Sequence, residues 1–220
     1  MKTVLITGAS RGIGKALAER FLENGDFVIG TSTTGKADWN HENFTVFQLD
    51  LFNSESIKKC VDQVSSLGKK IDVLINNAGM VVEEEAESPI VNIVFLRKTL
   101  EANLIGTIDT TEQVITHMNS GGHIVNISSR AGSLGSKEYT LNYPAYRISK
   151  AGLNMFTRIL AVRLEGEMIV SSVHPGWVKT DMGGDEAEVT PKEAAEHIFK
   201  LATSKVESGN FWFMGEKYPW

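Results

Sequence analysis

Apolar residues follow two rhythms along this chain. Short runs such as "VLITG", "DVLINNAG" and "HIVNISS" are apolar at both odd and even positions, while longer stretches space their apolar residues three or four apart. The first rhythm fits strands of a parallel sheet buried on both faces, and the second fits amphipathic helices. The pattern predicts strands near 2–7, 27–31, 44–48, 72–75, 122–127, 168–173 and 211–213, with helices over 12–24, 54–67, 91–117, 144–165 and 191–203. Regular alternation of the two points to an open α/β sheet of about seven strands with helices on both sides. No repeat or low-complexity linker interrupts it, so residues 1–220 read as one domain.

Local punctuation sharpens one boundary. In "TPKE", Thr190 can cap a helix, Pro191 suits the first helical position and Glu193 can reach back to the cap. The preceding "GWVKTDMGGDEAEV" is glycine-rich and acidic, and reads as a mobile loop. Cys60 is the single cysteine and falls among Ile57, Val61, Val64 and Leu67 at helical spacing, a core position. One cysteine excludes an internal disulfide and any multi-cysteine metal site, and no metal is expected.

Charge narrows the partners. The 22 Lys+Arg against 27 Asp+Glu leave a net of −5, which gives no electrostatic reason to expect nucleic acid or an anionic membrane. A strand-like run begins at Lys2, so no secretion signal is expected, and no apolar run approaches the ~18 residues that span a bilayer. The expectation is a soluble cytoplasmic protein acting on a small molecule.

Two stretches carry candidate chemistry. "TGASRGIG", Thr7 to Gly14, joins the first strand to the first helix, where free backbone N–H groups and the positive helix end can hold a pyrophosphate. In "SSRAGSLGSKEYTLNYPAYRISKAG", Tyr146 and Lys150 lie four apart and share a helix face, so the lysine can tune the phenol toward phenolate. Tyr143 has Arg147 four residues on, but it precedes Pro144, which disfavours a right-handed helical conformation for it. Tyr139 has no cation at that spacing. A serine hydroxyl just past the strand "HIVNISS" could donate to a developing oxyanion; Ser128 and Ser129 both lie there.

The motifs resemble those of the short-chain dehydrogenase/reductase family. Thr7, Gly8, Gly12 and Gly14 match its glycine motif, and Asp50, "NNAG" at 76–79, Asn103, "ISS" at 127–129, "YRISK" at 146–150 and "HPGWVKT" at 174–180 follow in family order. The resemblance implies a doubly wound Rossmann fold and a nicotinamide-dependent oxidoreductase. It implies catalytic roles for Asn103, Ser129, Tyr146 and Lys150, with Ser129 chosen over Ser128 as the second of the pair. Cofactor contacts are implied for Gly8, Ser10, Arg11, Gly12, Ile13, Gly14, Asp50, Leu51, Asn77, Ala78, Gly79, Tyr146, Lys150, Pro175, Gly176, Val178 and Thr180.

The cofactor's phosphate state has its own signal. An acid after the second strand would bind the adenosine ribose hydroxyls and repel a 2′-phosphate. "FVIGTSTTGK" has none; Ser32, Thr33 and Thr34 can donate to phosphate, and Arg11 adds a charged fork. NADP(H) is therefore expected ahead of NAD(H).

The spacing from Ser129 to Tyr146, the ending "YPW" and "HPGWVKTDMGG" resemble the C-factor-like and monomeric carbonyl-reductase branch. That implies hydride transfer between NADPH and a carbonyl or secondary alcohol. The alternatives are a 3-oxoacyl thioester reductase and a dinucleotide-responsive signalling protein of C-factor type. For the latter, "EEEAE" at 83–87 would offer a surface, although a solvated loop is the simpler reading. The inserted residues 130–142 are expected to border the substrate mouth with 177–188. Monomer and homo-oligomer both remain open.

Overall fold

A computed structural model describes residues 1–86, 90–136 and 140–220. Eight strands form one sheet in the order β3-β2-β1-β4-β5-β6-β7-β8. They are β1 (Thr3–Ile6), β2 (Phe27–Ser32), β3 (Phe44–Gln48), β4 (Ile71–Asn76), β5 (Met118–Ile127), β6 (Ile169–His174), β7 (Asn210–Phe213) and β8 (Glu216–Lys217). All neighbours pair in parallel except β7 and β8. The helices are α1 (Gly12–Glu23), α2 (Ser54–Ser66), α3 (Ile93–Leu100), α4 (Gly106–Ile115), α5 (Pro144–Arg163) and α6 (Pro191–Thr203). The fold is the single-domain, doubly wound α/β arrangement of the Rossmann type.

Strands that are apolar at both parities feed two cores. Val4 and Ile6 of β1 join Leu17, Phe21, Ile198 and Phe199 of α1 and α6 on one face. Leu5, between them, joins Ile57, Cys60, Val114, Leu153 and Leu160 of α2, α4 and α5 on the other. Cys60 is buried, and that burial pushes its thiol up to about 11, which leaves it an inert packing group. Thr190 and Glu193 form the expected capping box on α6.

Three elements differ from the pattern-based expectation. β5 begins at Met118 rather than 122, because Met118 pairs with Ile71 before a register irregularity; "NSGG" has no apolar rhythm to announce it. β8 forms through a tight hairpin in which Met214 and Gly215 both have positive φ, at 47° and 87°, but a two-residue strand is too short to show a period. The expected helix over 91–117 is divided by a five-residue π turn, Glu101–Ile105, with Asn103 at its middle. Gly106 ends that turn against α2's leading loop, where a Cβ would lie 2.2 Å from the Leu51 carbonyl oxygen. Among the described residues, no helix is long and apolar enough to cross a membrane.

Candidate active site

The glycine turn is shaped by contacts with β4. Gly8 has φ +70° and Gly12 φ +56°, conformations that side chains resist. A Cβ on Gly14 would come within 2.0 Å of the Gly8 carbonyl oxygen, so glycine is what lets α1 begin so close to β1. Asn77 Nδ2 donates to the Thr7 and Gly8 carbonyls at 2.9 and 3.1 Å, while Thr7 Oγ1 accepts from Asn77 N and Ala78 N, both at 3.0 Å. The "NNAG" turn and the glycine turn thus support one another.

Side-chain caps close the N-termini of α2, α3 and α6, from Asn53, Asn92 and Thr190. The start of α1 has no side-chain cap and no acid in its first turn, so its positive end and free N–H groups face outward beside Ser10, Arg11 and Ile13. This cradle fits a dinucleotide pyrophosphate.

Beyond the carboxyl ends of β4 and β5 the polar groups converge. Ser129 follows β5 with its hydroxyl beside the Tyr146 phenol, and its Oγ accepts from Ala131 N at 3.1 Å. Lys150 is buried and donates to the Ile127 carbonyl at 2.8 Å, with its Nζ 5.5 Å from the centre of the Tyr146 ring. A Cβ built on Gly79 would lie 3.2 Å from Asn103 Oδ1 and 3.7 Å from Lys150 Nζ, so bare backbone faces these groups. Asn103 holds the chain just past Gly79 with two 2.8 Å bonds, accepting from Met80 N and donating to Met80 O. Its Nδ2 also reaches Ser149 Oγ at 3.2 Å, and that hydroxyl donates to the Tyr146 carbonyl at 2.7 Å.

The electrostatics correct one expectation. Burial pushes the Tyr146 phenol above its ordinary value, and the Ser129 hydroxyl works against that shift without reversing it. Burial also lowers Lys150 to about 8. Desolvation disfavours phenolate and ammonium alike, so in this structure the lysine's charge does not bring the phenol down. A phenol is protonated at neutral pH even at its ordinary value, and the upward shift leaves Tyr146 in that state, the one a proton donor needs.

Tyr143 stands just before α5 with φ 51° and ψ 52°, in the left-handed region rather than the extended one usual before proline. Arg147 donates to the Asn142 carbonyl at 2.8 Å and bonds Thr140, turned toward its own loop. Tyr139 lies outside the described residues, as do Lys137 and Glu138 of the insertion.

The remaining expected residues line the same edge of the sheet. Asp50 follows β3 and accepts from Phe52 N at 3.0 Å through one carboxylate oxygen. Ser32 Oγ donates to Lys36 O at 2.7 Å and accepts from Lys36 N at 3.0 Å, so its hydroxyl builds the turn after β2, while Thr33 is exposed. Arg11 is exposed and paired with Asp181 at 2.7 Å. The stretch after β6 is folded on itself: Pro175 leads into Gly176 at φ +95°, Val178 bridges Val189, Thr180 Oγ1 accepts from Gly183 N at 3.2 Å, and Trp177 Nε1 donates to Gly183 O at 2.8 Å. Thr180 also abuts the glycine turn, its Cγ2 3.2 Å from where a Gly12 Cβ would be.

Two buried side chains around this site escaped the sequence reading. Asn154 donates to Gly132 O at 3.2 Å and accepts from Ser172 Oγ at 2.7 Å, tying the loop after Ser129 to α5 and β6. Its signal was a polar residue four positions beyond Lys150, hence on the same helix face. Glu85 lies in the acidic run read as a solvated loop, and that reading is corrected: Glu83 and Glu84 are exposed, but Glu85 is fully buried. Glu87 lies outside the described residues.

A family model described as short chain dehydrogenase matches residues 2–190. The chain belongs to the short-chain dehydrogenase family. Members of this family are oxidoreductases that use nicotinamide dinucleotides. The chain is 33% identical over 216 residues to a 3-oxoacyl-acyl-carrier-protein reductase of Aquifex aeolicus, covering 90% of this chain and 82% of that one. The structure is similar to that of an NADPH-bound carbonyl reductase from chicken fatty liver, with TM-score 0.90, 28% identity, and 100% and 94% of the two chains covered. It is also similar to the carbonyl reductase Sniffer of D. melanogaster, with TM-score 0.87, 27% identity and both chains covered in full. Within the short-chain dehydrogenases it falls with the carbonyl-reductase-like branch.

Proposed function

We propose that this short-chain dehydrogenase transfers hydride between NADPH and a carbonyl or secondary alcohol through Ser129, Tyr146 and Lys150. The observation that carries the reading is the convergence of the Ser129 hydroxyl and buried Lys150 on Tyr146, opposite the bare backbone of Gly79. A substrate oxygen seated between the two hydroxyls would meet two donors. Tyr146, protonated at neutral pH, gives its proton to that oxygen as negative charge develops there. Ser129 holds the oxygen, and Lys150 supplies positive charge behind the phenol. Asn103 fixes the backbone at Met80 so that this geometry is retained. When bound, the nicotinamide supplies the hydride.

Residues from Gly8 to Gly14 would hold the pyrophosphate, Asp50 and Leu51 the adenine, and Asn77 to Gly79 the adjoining ribose. Val178 and Thr180, set by Pro175 and Gly176, would orient the carboxamide. NADP(H) is favoured over NAD(H) by the absence of an acid after β2 and by Arg11 at the turn. Ser32, with its hydroxyl engaged by Lys36, contributes less to that preference than Thr33 and Arg11.

A second reading, a 3-oxoacyl thioester reductase, is favoured by the likeness to the Aquifex reductase. Oxidation of NADPH and of NADH, followed with aldehydes, diketones and 3-oxoacyl thioesters, tests both. Turnover of simple carbonyls with NADPH supports the first reading, and thioester turnover alone supports the second. A dinucleotide-binding protein without turnover on any of them would be the signalling alternative.

A further inference from the structure

The first turn of α5, which carries Tyr146, has an unusual beginning. Its capping position is Tyr143, whose side chain makes no cap and whose backbone is left-handed. Pro144 has no N–H to satisfy, and Arg147 N bonds the Tyr143 carbonyl at 3.0 Å. The N–H of Ala145, immediately before Tyr146, donates to a residue sixty positions earlier: Glu85 Oε2 at 3.2 Å. The main chain adds a second link, Tyr143 N to the Glu85 carbonyl at 3.1 Å.

Glu85 is fully buried, and among the described residues its Oε1 has no hydrogen-bond partner. A buried carboxylate with one unpartnered oxygen is costly. Its gain is confined to the place where Oε2 points, the positive end of α5.

The segment from Met80 to Ala86 is thereby tied to α5 at both of its ends. Asn103 grips Met80 and bonds Ser149, which in turn bonds the Tyr146 carbonyl. Glu85 grips the helix start on the other side of Tyr146. Because Met80 follows Gly79, whose backbone faces Lys150, the two ties set the distance between the catalytic helix and the bare wall opposite it.

We propose that Glu85 is a positioning residue, a long-range cap that fixes the start of α5 and so the placement of the Tyr146 hydroxyl against Ser129. This rests on the functional reading above, that Tyr146 delivers the proton. What matters is an acceptor oxygen at the reach of Glu85, rather than bulk at that place.

The test compares the full-length wild type with Glu85→Gln, which keeps an acceptor of the same reach, and Glu85→Leu, which keeps volume only. NADPH affinity, kcat and KM for one carbonyl substrate, and hydrogen exchange at the Ala145 amide are measured. Glu85→Leu should lower kcat on the order of tenfold or more, as a small misplacement of a reacting group does. NADPH affinity should stay within about twofold of wild type, since the cofactor cradle is elsewhere. Ala145 should exchange faster in Glu85→Leu, and Glu85→Gln should restore both kcat and protection. Wild-type kcat in Glu85→Leu, or Glu85→Gln as impaired as Glu85→Leu, would overturn the proposal. A Leu variant too unstable to purify leaves the Gln variant decisive: wild-type kcat with slow Ala145 exchange upholds the role, and a tenfold loss overturns it. A wild type that binds NADPH yet reduces no carbonyl would instead defeat the functional reading, while the exchange data would still report on the cap.

Discussion

Lys150 Nζ stands 5.5 Å from the centre of the Tyr146 ring, one turn further along α5, and the Ser129 hydroxyl comes beside the phenol from just beyond the end of β5. The phenol and the Ser129 hydroxyl are brought together from a helix and a strand end across 17 residues of chain. Ser129→Ala should therefore lower kcat by roughly 10²–10³, the usual loss for one oxyanion donor, with NADPH affinity unchanged. Steady-state kinetics with a titration of NADPH quenching would check both halves.

The pH dependence follows from the two burial shifts. Reduction requires a protonated phenol, and Tyr146 is raised by burial, so the proton is held throughout the neutral range. Lys150, lowered to about 8, is charged below that pH and neutral above it. Reductive kcat should be flat at neutral pH and fall as pH rises through about 8, while Lys150→Met should remove that step along with most activity. A pH series of kcat with saturating NADPH is the measurement.

Gly14→Ala probes the cradle itself. The new methyl meets backbone, the Gly8 carbonyl oxygen, so the turn has to shift rather than a side chain rotate. Overpacking of this kind costs about 1–3 kcal/mol of stability. Cofactor affinity should fall with it, and thermal melts with and without NADPH should lose the cofactor-induced rise in Tm.

Arg11 is 82% exposed and its partner Asp181 75%, so their ion pair contributes little to stability. Arg11→Ala should leave Tm nearly unchanged and raise KM for NADPH on the order of tenfold or more, with NADH affected far less. Asp181→Ala, which leaves the guanidinium available to phosphate, should lower KM for NADPH. Parallel kinetics with the two cofactors would check the selectivity.

The sheet was legible because strands buried on both faces have to be apolar at both parities, as Val4, Leu5 and Ile6 illustrate by feeding two different cores. The candidate site was legible where chemistry and spacing coincide, as with Tyr146 and Lys150 one helical turn apart. The π turn at Asn103 was not: it ends where Gly106 comes close to Leu51, a contact between distant segments that no local pattern announces. The same holds for Glu85. Its neighbours Glu83 and Glu84 are solvated, and only the arrival of α5 makes the third glutamate an interior cap. The sign of the Tyr146 shift was missed for a related reason: spacing brings a lysine near, but burial decides how much its charge is worth.

The most direct test is Tyr146→Phe, mixed with NADPH and a carbonyl substrate that the wild type reduces, with NADPH absorbance followed through a single turnover. Phenylalanine keeps the ring and removes only the proton and its oxygen. NADPH should bind as in the wild type, and hydride transfer should slow by roughly 10²–10⁴. Transfer at the wild-type rate by a variant with intact NADPH binding would contradict the assignment of Tyr146 as the proton donor.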